Sequence, residues 1–86
     1  MQLAPVQPSL QAIEAVAAAV QSTIESSSPF AESPQGDIFL VPAPTQYDPL
    51  EIHRALMVMV RQGELTGYRY IEAGPAPAIL AVTAAA

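Results

Sequence analysis

Cysteine and lysine are both absent from this 86-residue chain, and each absence removes a class of function. Without cysteine there is no disulfide framework, no thiolate metal site and no thiol nucleophile. Without lysine, the cations are Arg54, Arg61 and Arg69 alone, set against eight acids for a formal net charge of −5. Three scattered arginines cannot neutralise a run of phosphates, so the charge balance argues against nucleic acid as a partner. The acids are in turn too sparse to imitate a nucleic acid.

Histidine occurs once, as His53, with no second His or Cys to complete a zinc site. Its acidic neighbour Glu51, two residues away on a helix, projects about 200° around the axis and cannot orient the ring. Gly36, Gly63, Gly67 and Gly74 do not fall at phosphate-loop or dinucleotide spacing. The serines Ser26–Ser28 have no nucleophile-elbow context. The chain is therefore expected to be non-enzymatic, with no catalytic residue, cofactor, metal or small-molecule substrate. Asp37 and Glu72 would lie close if their strands paired, which the sequence leaves open.

Long apolar runs are missing too. The longest, Ala15–Val20 and Ala55–Val60, have six residues each, against about 18 needed to span a bilayer. The opening MQLAPVQPSL has neither a basic n-region nor an apolar h-region. These features predict a cytoplasmic protein with no membrane partner.

What is present is apolar and weakly charged. Hydrophobic residues make up 51% of the chain and charged ones 13%, about half the usual charged share. A single domain of this length buries only about 60% of its unfolded surface. It needs nearly all its apolar side chains packed, or a partner to pack them. Much of the apolar fraction is alanine, so composition alone is consistent either with an interface or with a neutral alanine bias.

Residues 1–8, with Pro5 and Pro8, read as an extended lead-in, and Ser9 as the N-cap of a helix reaching about Ser26. Its apolar stripe is Leu10, Ile13, Ala17, Val20 and Ile24, widened by Val16. Pro29 closes it, and residues 27–36 read as a polar connection. Four consecutive apolar residues, Ile38–Val41, predict a short strand buried on both faces.

The second helix carries the fullest local grammar. Asp48 suits the N-cap, Pro49 the first helical position and Glu51 the capping box. Tyr47 and Ile52 match a hydrophobic staple, and Gly63 the left-handed residue that ends a helix. The predicted span is Pro49 to Gln62. Ile52, Ala55, Leu56, Met59 and Val60 form one apolar face, while Leu50 and Met57 project roughly opposite with Val58 between. A helix apolar on two sides is either sandwiched or partly exposed to a partner.

Beyond it, Leu65–Glu72 and Ala78–Thr83 predict a hairpin around a turn at Ala73–Pro77. Pro75 and Pro77 cannot donate to a ladder, so that end belongs at a sheet margin. Tyr68 and Tyr70 share one strand face, and Arg69 and Ile71 the other. The tyrosines are either core or a contact patch beside Arg69. The tail at residues 84–86 is expected to fray.

The passage IHRALMVMVRQGELTGYRY, Ile52–Tyr70, resembles the helix-to-wing segment of winged-helix domains, excisionase-like ones in particular. A helix ends on Arg61 and Gln62, and Gly63, Glu64 and Leu65 lead into a first wing strand at Gly67–Ile71. The resemblance covers residues 49–83, with Ala78–Val82 as the second wing strand. It implies an alternative function, a DNA-binding regulator acting as a dimer, with His53, Arg54, Arg61 and Gln62 on its recognition helix.

The fold expected is α/β (α+β) over residues 9–83, in the order α-β-α-β-β, with a three-stranded sheet packed against two helices. The function expected is a protein–protein interaction module: an adaptor, a small regulatory or inhibitory subunit, or a component of a larger assembly. The partner would be another protein or a second copy. The interface candidates are Leu50, Met57, Val58, Tyr68, Arg69 and Tyr70.

Overall fold

The computed structural model describes residues 10–85, in an α+β fold of two helices and one antiparallel sheet. The elements are α1 (Leu10–Ser26), β1 (Ala31–Ser33), β2 (Gly36–Pro42), α2 (Pro49–Arg61), β3 (Leu65–Ala73) and β4 (Ala76–Ala84). The sheet order is β1-β2-β4-β3. Both helices lie on one face of the sheet, α1 against β2 and α2 against β3, and they pack on each other. The thinnest dimension is 19 Å, which suits two layers at the roughly 10 Å spacing of packed elements.

Strand alternation decides what each face carries. In the paired register, Phe39 lies opposite Val82, Val41 opposite Leu80, Tyr68 opposite Val82 and Tyr70 opposite Leu80. This row faces the helices. Phe39, Val41, Leu80 and Val82 close a core with Val16 and Val20 of α1 and Ile52, Leu56 and Met59 of α2. No polar or charged residue is buried among the described residues, so the core holds together by apolar burial and shape alone.

The helix termini follow local chemistry. Asp48 has the extended N-cap backbone and Pro49 opens α2, but the Asp48 side chain makes no cap bond. The C-terminus is a Schellman closure: Glu64 N–H donates to the Met59 carbonyl at 3.0 Å, and Gly63 N–H to that of Val60 at 3.1 Å. Gly63 has φ 81°, the left-handed geometry this closure requires. Tyr47 is half-buried and packs on the core cluster that contains Ile52.

Several expectations are corrected. The sheet has four strands, because Ala31–Ser33 pairs with Gly36–Ile38 through a turn at residues 34–35. Ala-Glu-Ser has no β-branched or aromatic residue, so its strand geometry comes from the neighbouring ladder rather than from propensity. Ile38–Val41 is not buried on both faces: Phe39 and Val41 are buried, whereas Ile38 is half-buried and Leu40 exposed. The central stripe of α1 is Ala12, Val16 and Val20, with Ile13, Ala17 and Ile24 on its flank and Leu10 in solvent. The hairpin turn is tighter than read, Gly74 and Pro75 only, and β4 takes in Ala76, Pro77 and Ala84. The lead-in at residues 1–8 and the Ser9 cap lie outside the described residues.

Candidate interaction surface

The face of the sheet turned away from the helices is also apolar. Ile38 lies opposite Thr83, Leu40 opposite Ala81, and Ile79 opposite Pro42 on one side and Ile71 on the other. Arg69, opposite Ala81, is the only charged residue among the described strand positions of this face. Leu40 is 37% and Ile71 43% exposed. No described helix covers them, since both α1 and α2 sit on the other side.

A second apolar surface runs along the outer side of α2. Leu50 is 54% and Met57 36% exposed, about two helical turns apart, with the exposed His53 and Arg61 nearby. Val58 is half-buried beside them. The two surfaces are separate, because the sheet lies between its outer face and α2.

The structure divides the sequence-derived candidates accordingly. Leu50 and Met57 share the outer stripe of α2. Arg69 belongs to the open sheet face. Tyr68 and Tyr70 are half-buried on the helix side, packed against the core, so no single patch joins them to Arg69. Sequence reasoning missed Ile38, Leu40, Ile71 and Ile79 as surface. The available signal was the alternation of β4, which is apolar on both parities.

His53 finds a partner that sequence spacing could not show. The Tyr68 hydroxyl lies 2.8 Å from His53 Nδ1, and the rings meet edge to face at 5.3 Å. With the ring proton on Nε2, the phenol donates to Nδ1. Burial raises the Tyr68 pKa above its ordinary value of 10.0.

Asp37 and Glu72 do not meet. Asp37 lies opposite Glu32 near the β1–β2 turn, whereas Glu72 lies at the Gly74–Pro75 end of the other hairpin. There a cleft of about 360 Å³ is lined by Tyr70, Glu72, Gly74, Ala76 and Ala78. Among the described residues no group of three or more His, Cys, Asp or Glu could hold a metal ion, and no helix is long and apolar enough to cross a membrane. No protein-family model, curated protein or solved structure matches this chain.

Proposed function

We propose that this protein is a non-enzymatic protein–protein interaction module that docks through the helix-free face of its sheet. One observation carries the reading: one side of the sheet is sealed by two helices, while the other presents Ile38, Leu40, Ile71 and Ile79 with a single charge, Arg69. A contiguous apolar surface rimmed by polar groups marks an interaction site more often than a solvated one. Covering it would remove apolar area from water at about 25 cal/mol per Å², before the costs of association are subtracted. An adaptor, a small regulatory or inhibitory subunit and a component of a larger assembly all use such a face in the same way.

The test replaces Leu40 and Ile71 together by Glu and follows the mass in solution across a concentration series, with and without extract of the source cells. The unmodified chain is expected to assemble with itself or with a specific protein, and the double variant to lose that assembly while keeping its circular dichroism spectrum. A particle that stays at the monomer mass of 9.0 kDa under every condition would sink the reading.

A further inference from the structure

We propose that the free edge of β3 takes up an extended peptide segment as a fifth strand, with a lysine or arginine of that segment reaching the cleft beside Glu72. This deepens the reading of the chain as an interaction module and rests on it, but it concerns a different surface from the open face.

Backbone parity identifies the edge. Ala43 N–H donates to the Ala78 carbonyl at 3.0 Å, so Ala78, Leu80 and Val82 direct their backbone groups toward β2. Ile79, Ala81 and Thr83 must then direct theirs toward β3, where they face Ile71, Arg69 and Gly67. The intervening residues, Tyr68 and Tyr70, turn their N–H and C=O outward. No strand among the described residues lies beyond β3. Register shifts at Leu65/Gly67 and Ile71/Ala73 bound this edge on both sides. Such irregularities twist the strand ends away from open-ended stacking, yet leave a run long enough to pair with a short segment.

The cleft states the chemistry of the guest. Residues directly opposite on paired strands share a face, so a guest residue opposite Tyr70 would point its side chain to the helix side, beside Tyr70 and Glu72. The rest of the lining is Gly74, Ala76 and Ala78, small residues that leave room for a long side chain. Glu72 is the only charged group in the lining, and the Tyr70 ring offers a face to a cation. A second copy cannot supply that cation. The outward-facing positions of its β3 are Tyr68 and Tyr70, and β1, the strand at the other edge of the sheet, consists of Ala31, Glu32 and Ser33. The intervening guest residues would extend the apolar face next to Ile71, so the fitting sequence alternates basic and β-branched residues.

The test uses the full chain labelled with nitrogen-15 and the peptide Ac-Thr-Val-Lys-Val-Arg-Val-Thr-NH2, with a control carrying Glu in place of Lys and Arg. In the free protein, the amides of Tyr68 and Tyr70 are expected to exchange with solvent at least about tenfold faster than those of Arg69 and Ile71. The basic peptide should shift and slow the two tyrosine amides, and Glu72→Gln should weaken its binding about three- to fivefold. Equal protection of all four amides without peptide would overturn the proposal. So would shifts confined to residues outside β3 and the cleft lining at Gly74, Ala76 and Ala78, or binding of the acidic control as tight as that of the basic peptide. Leu40→Glu should leave the peptide titration unchanged. Loss of the peptide response, with assembly through the open face intact, refutes the edge alone; loss of assembly in the unmodified chain refutes the broader reading.

Discussion

At the scale of single residues, Gly36 shows how one position permits a close approach of two strands. Its φ is 138°, and a Cβ built there would fall on the Ala84 carbonyl oxygen. Backbone cannot move aside as a flexible side chain can. Gly36→Ala is therefore expected to cost about 3 kcal/mol, combining backbone strain with forced displacement of the end of β4. Urea denaturation checks it, and a loss below about 1 kcal/mol would contradict this account. Tyr68 makes a second prediction. Its folded pKa is raised above 10.0 by burial, so folding favours the neutral phenol. That contribution is fully present below the unfolded pKa and is lost as pH rises through the folded value. Unfolding midpoints of the unmodified chain should fall from about pH 10 upward, and Tyr68→Phe should flatten that fall. At neutral pH the same variant, which removes the bond to His53, should cost about 0.5–1 kcal/mol.

At the scale of elements, the outcome separates by how local each signal is. The start and stop of α2 were legible because Asp48, Pro49 and Gly63 act on their immediate backbone. The structure retains the backbone part of that grammar and drops the Asp48 side-chain bond. The strand β1 was not legible, since Ala31, Glu32 and Ser33 take strand form only because β2 offers them a ladder. That pairing sets Glu32 directly opposite Asp37, two like charges at an exposed sheet end. Like charges so placed destabilise a strand pair. Glu32→Lys should therefore stabilise the protein by about 0.2–1 kcal/mol, with the gain shrinking in high salt. A thermal melt at low and high ionic strength measures both parts, and a stability loss at low salt would contradict the pairing energetics.

For the molecule as a whole, the question is which apolar residues hold the fold and which remain for a partner. Leu56 is fully buried between α2 and the sheet, so Leu56→Ala should cost about 2–5 kcal/mol. Leu50→Ala, on the outer stripe of the same helix, should stay within about 0.5 kcal/mol. A comparable loss from both would mean that the outer stripe is covered in the folded protein. The excess of apolar groups was visible in composition, but its location was not. Sequence periodicity pointed to Leu50 and Met57 on α2, and the structure adds a second open surface at the back of the sheet.

The sequence by itself determined the helices, the C-terminal hairpin and the α+β class, because turn residues, caps and side-chain periodicity act over a few neighbouring positions. It also determined that Tyr68 and Tyr70 oppose Arg69 and Ile71, which follows from the pleat. Only tertiary structure decided which of those faces meets the helices, that β4 sits between β2 and β3, and that His53 meets Tyr68 across 15 positions. Those outcomes depend on two helices choosing one side of a sheet whose central strand is apolar on both. Local physics leaves that choice open, and the joint packing of Val16, Leu56 and Leu80 makes it.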